Sequence, residues 1–385
     1  MVRTAAAVVV FLALLAAAGN HEPRASDPTE RRRTSGHLLQ LPEGFPAPRT
    51  PPDNQLTPEK IELGRRLFHD PRLSGDGTIA CATCHRPELA YTDGRARARG
   101  IAGNVHPRSA MSLANVAYNA TLGWDDPDLV LLEDQALVPL LNTHPPEMGV
   151  AGREEEVLAR FAGDGRYRDL FARAFPREDR PVALRNVTRA LASFERTLIS
   201  GNSPYDRWAY QGQVEALDPE QRAGARLFFS QRLNCFRCHA GFNLSGPVVY
   251  QGSGAPEPQF HNTGLYNENG RGAYPAPNTG VHRFTGRPED MGRFRAPTLR
   301  NIALTAPYMH DGSIPTLEAV LDHYALGGRA RYAGADASGT ESAVQTDASI
   351  TGFELTAQER RQLIAFLQAL TDEDFVRRAV EQATE

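Results

Sequence analysis

The chain is poor in the residues and segments that mark several classes of protein. Only four cysteines occur among its 385 residues, and all four lie in two short motifs, which leaves none for a structural disulfide. The apolar run of residues 5–18 is shorter than the roughly 20 residues that span a bilayer as a helix. The formal net charge is only −4, without the basic excess typical of nucleic-acid binding. The sequence therefore predicts neither stable membrane insertion nor a nucleic-acid partner.

The four cysteines belong to a pentapeptide, Cys-x-x-Cys-His, that occurs twice. The residues that it defines are Cys81, Cys84, His85, Cys235, Cys238 and His239. Two thiols at this spacing reach the two vinyl groups of one haem, and the histidine that follows is placed to bind the iron from one side. A zinc site or a redox disulfide is the alternative, but the two pairs are far apart in sequence and each carries its own histidine. Two covalent c-type haems are therefore predicted, and with them redox chemistry that no side chain performs.

The N-terminus has the features of an export signal. Arg3 precedes the apolar run, and the alanines at its end form an acceptable cleavage site. Export agrees with the haem motifs, because c-type haem is attached outside the cytoplasmic membrane. We therefore expect a signal peptide over residues 1–18 cleaved near Ala18, a periplasmic protein, and a polar, flexible leader over residues 19–50. The alternative, an uncleaved membrane anchor, is disfavoured by the short apolar run.

The rest of the chain contains an internal repeat, in which one sequence unit occurs twice. Residues 56–68 match residues 217–228, and each copy starts with a helix N-cap followed by proline and leads into a haem motif. Residues 113–117 match residues 299–303, in the same order behind the motifs. Because the matches occur in the same order relative to each haem motif, they indicate a duplication.

The duplication predicts an all-α fold of two tandem cytochrome c-like domains, each enclosing one covalent haem and joined by long loops. We place an N-terminal domain at residues 51–205 and a C-terminal domain at residues 206–385. An insertion in the second copy, residues 241–291, is rich in Gly, Pro and Asn and is predicted to be long loop with little regular structure.

The two copies differ where the second axial ligand of each haem iron would stand. Tyr324 lies seven residues after the leucine of one repeated Leu-Glu pair, and Pro139 lies seven after the leucine of the other. A tyrosine oxygen can bind iron, whereas proline has no ligating side-chain atom. The C-terminal haem is thus predicted to be held on both sides and the N-terminal haem to be open to peroxide or oxygen. His323, Met309 and Met291 are the alternatives to Tyr324.

His106 lies in a Gly- and Arg-rich stretch, residues 94–108, that could move. It could swing in and close the N-terminal haem. The simpler interpretation is a histidine of a surface loop.

Together these residues resemble a known family, the bacterial di-haem cytochrome c peroxidases, and within it the MauG-like branch named after the methylamine-utilisation protein. The resemblance extends from about residue 51 to residue 371. Beside the two haem motifs it is carried by residues 108–118, 123–125, 133–135, 139, 146–149, 296–301, 305–313 and 322–324.

The resemblance implies a division of roles between the haems. The N-terminal haem reacts with peroxide, and the C-terminal haem stores or relays electrons. Trp124 stands where the family places a tryptophan between the haems, and Glu147 where it places the distal carboxylate that moves a proton. Gln135 and Pro139 match the MauG-like distal pocket, and Tyr324 matches the tyrosine ligand of that branch.

The family also holds a calcium ion between its domains. Thr305 and Pro307 match the two backbone carbonyl donors. Ser109 stands at the position of an asparagine donor and is the poorer oxygen ligand. The resemblance therefore implies a calcium site in which one donor is replaced.

Three functions remain open on the sequence alone. The first is reduction of hydrogen peroxide at the N-terminal haem, with electrons from a small cytochrome c or cupredoxin through the C-terminal haem. The second is MauG-like oxidation of residues in a partner protein. The third is a non-catalytic electron-transfer cytochrome, which the proline opposite the N-terminal haem disfavours. Family members are often dimeric, so a homodimer is a further expectation.

Overall fold

The computed structural model describes residues 38–39, 41–269, 272–329 and 346–383. The predicted signal peptide, residues 1–18, lies outside the described residues, as does most of the predicted leader. In the part of the chain that is described, no helix is both long and apolar enough to cross a membrane.

The N-terminal half is a set of helices around one apolar core. Its first helix begins where the sequence predicts, because the Thr57 hydroxyl accepts the N–H of Lys60 at 3.2 Å and proline occupies the first turn. The core contains Leu63, Phe68 and Phe161, all buried. The helices of this half are α1 (Pro58–His69), α2 (Cys81–Cys84), α3 (Leu132–Gln135), α4 (Leu137–Leu141), α5 (Glu154–Ala162), α6 (Gly165–Ala174) and α7 (Leu184–Glu195).

The C-terminal half repeats this plan around a second core. Asp218 caps its α9 helix in a capping box with Gln221, and Thr356 caps α12 in the same way with Glu359. The second core includes Phe228 and Phe366. The helices are α8 (Pro204–Ala209), α9 (Pro219–Phe228), α10 (His282–Thr285), α11 (Leu317–Ala325), α12 (Ala357–Gln368) and α13 (Glu373–Ala383).

The C-terminal helix α13 packs on the N-terminal core, although the sequence assigns its residues to the C-terminal domain. Phe375 and Ala379 belong to the core of the first half, and the rings of Phe375 and Tyr91 lie 5.9 Å apart. The last described helix therefore ties the two halves together.

The duplication is visible in the way the principal helices of each half meet. Helix α1 packs on α7 in the first half, and α9 packs on α12 in the second. Each contact is centred on a glycine. A Cβ built on Gly64 would lie 1.9 Å from the carbonyl oxygen of Ala190, and a Cβ on Gly224 would lie 1.9 Å from that of Gln362. The two repeated glycines are thus sites where one helix backbone touches another.

We expect Gly224→Ala to lower the free energy of unfolding by about 1–3 kcal/mol or more, because the added methyl group overpacks a backbone contact. Thermal unfolding followed by circular dichroism measures this change. Gly165→Ala is the matched control, since its Cβ would meet only a flexible arginine tip at 3.5 Å. Equal stability of the two variants would contradict the close contact of α9 with α12.

A second repeated residue joins the halves. Asn115 and Asn301 both adopt left-handed backbone conformations, with φ of 58° and 59°. The Asn115 side chain bonds the backbone of Ser200, while the Asn301 side chain bonds the Ser200 hydroxyl and the N–H of Asp372. Both asparagines therefore converge on the segment that links the two halves.

The predicted insertion, residues 241–291, is largely irregular, and the departure from an all-α fold pairs one of its segments with residues that follow it. The strands β1 (His261–Asn262) and β2 (Arg293–Phe294) pair antiparallel, with His261 opposite Phe294. The regular structure of the described residues is thus mostly helix, with one short two-stranded ladder.

The last residues of the predicted leader are packed against the folded chain. Phe45 is buried, with its ring edge-on to Phe242 at 4.8 Å and near Tyr118 at 6.2 Å. The Tyr118 hydroxyl donates to the carbonyl of Pro46 at 2.7 Å. Residues 41–50 are therefore held by side chains from both halves.

Candidate active site

The first haem motif forms a single helical turn, α2, so that Cys81 and Cys84 project from neighbouring positions of that turn. Neither thiol is in a disulfide. The His85 ring places Nδ1 2.9 Å from the carbonyl oxygen of Tyr91, which makes Nδ1 the protonated nitrogen and leaves Nε2 as a lone pair. Burial lowers the pKa of His85 and so favours the neutral imidazole that binds iron.

The second motif orients its histidine in the same way, although its backbone forms a different kind of turn. Residues Cys235–Arg237 form a 3-10 turn, and the His239 ring places Nδ1 3.1 Å from the carbonyl oxygen of Pro297. Burial lowers the pKa of His239 to about 4, so this ring is also neutral with Nε2 available. A ligating histidine whose other nitrogen donates to a carbonyl is the usual arrangement at metal centres.

A cavity in the C-terminal half brings the second motif together with Tyr324. Cys235, Cys238, His239 and Tyr324 all line it, and leucine side chains of α11 and α12 complete the wall. Burial raises the pKa of Tyr324. A phenolate at this position therefore requires a cationic partner, which ferric iron bound to His239 would provide.

The alternatives to Tyr324 differ in their availability. His323 is buried with both ring nitrogens engaged, Nε2 with the carbonyl of Thr263 at 2.9 Å and Nδ1 with the N–H of Arg329 at 3.3 Å. Met309 lines the cavity as Tyr324 does, whereas Met291 does not line it. Tyr324 and Met309 are thus the two candidates that share the cavity with His239.

The same cavity contains a buried cation that has no carboxylate partner in the part of the chain that the structure describes. Arg295 is buried, and its guanidinium contacts the carbonyl of Gly123 at 3.1 Å and the sulfur of Met111 at 3.5 Å. Burial lowers its pKa to about 10, the direction expected of a cation without a counter-charge. A haem carries propionate groups that would neutralise such a side chain. Paired thiols, an oriented imidazole and this orphan guanidinium therefore fit a covalent haem.

Trp124 lies at the junction of the halves. It lines the C-terminal cavity, its indole N–H donates to the carbonyl of Ser109 at 3.0 Å, and its own carbonyl accepts the N–H of Arg295 at 2.8 Å. Its ring stands edge-on to His310 at 6.4 Å. Trp124 thus connects backbone of the first half to the wall of the second cavity.

Glu147 lies beside the N-terminal motif. Burial raises the pKa of Cys84 to about 11, and the carboxylates of Asp93 and then Glu147 add to that shift. The Glu147 side chain is 31% exposed, so small solutes can reach it.

The candidate distal residues of the first half lie on α3, α4 and the turn that follows. Gln135 ends α3, half-buried, and Pro139 lies one turn later in α4. The carbonyl of Pro139 accepts the N–H of Met148 at 2.9 Å, which fixes the neighbouring Glu147 against α4. Proline offers no ligand atom, so the prediction that the N-terminal haem is open on this side stays a prediction.

Comparisons with known proteins agree with this geometry. A family model described as di-haem cytochrome c peroxidase matches residues 58–215, and one described as RoxA-like, cytochrome c-like matches residues 293–326. The methylamine utilization protein MauG of Methylorubrum extorquens is 37% identical over 337 residues, which cover 87% of this chain and 84% of MauG. The chain belongs to the di-haem cytochrome c peroxidase family. Membership implies covalently bound haem c, in line with the two motifs.

Relatives in the family carry two kinds of name. The cytochrome-c peroxidase IdrP1 of a Pseudomonas species is 35% identical and covers 87% of this chain and 85% of that protein. A crystal structure of a MauG-like protein associated with microbial copper homeostasis is 45% identical, with a TM-score of 0.82 over 88% of this chain and 96% of that one. The MauG-like resemblance inferred from the sequence is therefore confirmed.

The calcium site of the family stays a prediction for this chain. Ser109, Thr305 and Pro307 line one cavity. The Ser109 hydroxyl donates to the carbonyl of Met309 at 3.1 Å, and its carbonyl accepts from Trp124. Across the described ranges no group of three or more His, Cys, Asp or Glu side chains is arranged to hold a metal ion.

The structure corrects the predicted exposure of one residue and identifies a second for which the sequence predicts no role. The surface-loop interpretation of His106 is wrong, because its side chain is buried and Nδ1 lies 3.0 Å from Glu147 Oε1. Arg295 was overlooked. An arginine among apolar neighbours was the available signal, but only the fold shows that it lacks a carboxylate partner.

Proposed function

We propose that the protein is a di-haem c-type oxidoreductase that reduces hydrogen peroxide in its N-terminal half, with electrons supplied through its C-terminal half. The observation that carries the proposal is the partly exposed Glu147 carboxylate, which the loop of residues 98–106 links to Cys84 of the first Cys-x-x-Cys-His motif. Relatives named cytochrome-c peroxidases support the same reaction class.

The bound haem iron supplies the redox chemistry that cleaves the oxygen–oxygen bond of peroxide. Glu147 accepts a proton from one oxygen of peroxide and returns it to the other, so that water can leave. Gln135, whose side-chain amide can donate and accept hydrogen bonds, orients the peroxide. Two electrons and two further protons complete the reduction of one peroxide to two water molecules.

The electrons reach the N-terminal half through the junction where Trp124 lies. An indole between two redox centres shortens each electron-transfer step by offering an oxidisable group midway. Donation of the indole N–H to the Ser109 carbonyl fixes the ring in place. A small periplasmic cytochrome c or cupredoxin is the proposed donor, and the predicted export signal gives the protein the same compartment.

Steady-state peroxide consumption with a reduced cytochrome c or cupredoxin tests the proposal. We expect turnover of 1–1000 per second, the range usual for enzymes. Slow turnover together with a long-lived change of the haem spectrum would favour oxidation of a partner protein. No reaction with peroxide would leave only an electron carrier and would overturn the proposal.

A second candidate, oxidation of residues in a partner protein, is favoured by Tyr324 in the C-terminal cavity and by the MauG-named relatives. An anionic phenolate would stabilise oxidised iron better than a thioether does. Because the 45% identical structure is of a protein associated with microbial copper homeostasis, proteins of that system are the first partners to test.

A further inference from the structure

The buried His106 contacts the partly exposed Glu147 near the N-terminal haem motif. His106 is 6% exposed, and its Nδ1 lies 3.0 Å from Glu147 Oε1. Its other nitrogen, Nε2, is buried and has no hydrogen-bond partner among the described residues. The pair is therefore a close polar contact between one imidazole nitrogen and one carboxylate oxygen.

The backbone is shaped to maintain this pair. The N–H of His106 donates to the carbonyl of Ala98 at 2.8 Å, which closes residues 98–106 into a loop. From the same loop, the N–H of Ile101 donates to the carbonyl of Glu147 at 2.8 Å. A Cβ on Gly100 would lie 2.3 Å from the carbonyl oxygen of Pro146, so the loop rests directly on the segment that carries Glu147. The loop thus holds both the backbone and the side chain of Glu147.

The loop also contacts the haem motif. The Cys84 sulfur lies 3.6 Å from the carbonyl oxygen of Arg99. One loop therefore connects the residue that would attach haem to the residue that would move the proton. His106 contacts one oxygen of Glu147, Oε1, and no side chain of the described residues contacts the other, Oε2, as an ion-pair or hydrogen-bond partner.

We propose that His106 is a positioning residue that holds Glu147 Oε1 and thereby presents Oε2 to the bound peroxide. This inference rests on the proposed function. The imidazole exchanges no proton with the substrate: Oε2 takes a proton from peroxide and gives it back, while the contact of Nδ1 with Oε1 fixes the carboxyl group. Because the base is already oriented, the reaction does not require the entropy loss of ordering a partly exposed side chain. Partners that orient reacting groups in this way typically contribute 10- to 100-fold.

Three variants of His106 distinguish a positioning role of its ring nitrogen from an effect of its size. His106→Phe removes the donor but fills the space. His106→Asn keeps an N–H near the position of Nδ1, whereas His106→Gln places its amide near the position of Nε2. His144→Phe, at an exposed histidine three residues before Glu147, is the matched control.

The first readout is the second-order rate of the haem absorbance change on mixing with hydrogen peroxide. The second is the rate of cyanide binding, which needs a distal base to take the proton of HCN but involves no turnover. We expect roughly 10- to 100-fold slower rates for His106→Phe and His106→Gln in both assays. His106→Asn should recover most of the rate, and His144→Phe should match the wild type. Haem content and the resting ferric spectrum should stay the same throughout.

The outcomes distinguish this inference from the proposed function. Wild-type rates in His106→Phe and His106→Gln, with slow rates in Glu147→Gln, overturn the role of His106 and leave the peroxidase proposal intact. Conversion of a low-spin ferric signal to high-spin in His106→Phe would make His106 an iron ligand and would overturn the inference as well. Wild-type rates in Glu147→Gln would overturn the acid–base proposal itself. Should His106→Phe fail to fold, the contrast between the Asn and Gln variants decides.

Discussion

Glu147→Gln is expected to slow the reaction with hydrogen peroxide by roughly 100- to 10,000-fold, the usual contribution of a positioned acid–base group. The amide keeps the size of the carboxylate and can still contact His106 through its oxygen, but it cannot take up a proton. The rest of the pocket should therefore be preserved. Stopped-flow recording of the haem absorbance after mixing with peroxide measures the rate.

Glu88→Gln is the control for this experiment. Glu88 lies close to the same motif but is exposed and ion-paired with Arg86 at 2.6 Å, so its loss should leave the rate unchanged. If Glu147→Gln reacted at the wild-type rate with full haem content, another group would have to be the base. In that case Asp93, buried and with Oδ2 unpartnered, would be the next candidate to test.

Tyr324→Phe is expected to give the C-terminal haem a high-spin ferric signal, because the phenyl ring fills the cavity but offers no oxygen to the iron. Tyr324→Met should instead raise the reduction potential, by on the order of hundreds of millivolts within the ~0.8 V that axial ligands span. The physical reason is that an anionic oxygen stabilises ferric iron, while a thioether favours the ferrous state. Electron paramagnetic resonance and a spectroscopic redox titration measure the two effects.

The matched variant is Met309→Leu, at the other candidate ligand that lines the cavity. It should leave both the ferric spectrum and the potential unchanged. A spectral change in Met309→Leu with none in Tyr324→Phe would assign the ligand to Met309. It would also remove the main argument for the MauG-like alternative.

Local chemistry made much of the molecule predictable from the sequence. The attachment of haem depends on five consecutive residues, so the two motifs could be recognised without any fold. Helix starts at Thr57 and Asp218 depend on a cap and the residues that follow it, and both caps are present. The repeat could be recognised for the same reason. In the structure, its glycines Gly64 and Gly224 allow the close contacts between helices.

Long-range packing decided what the sequence left open or got wrong. Whether a histidine is exposed depends on which distant segments cover it, and His106 is buried because its loop folds onto a segment about 40 residues later. The missing counter-charge of Arg295 has the same origin, since an unpaired guanidinium is recognised only once every neighbour is placed. The choice between His323 and Tyr324 is likewise tertiary, because adjacent positions on α11 point one ring at the backbone of Thr263 and the other into the cavity.

The sequence by itself thus determined the chemistry of the cofactor sites, the duplication and the family, all of which depend on short-range order along the chain. The tertiary structure alone decided which side chains share a cavity, which are tied to other groups, and which carboxylate oxygen is left free. Burial and pairing between distant segments have no counterpart in local spacing, so these assignments came only with the fold.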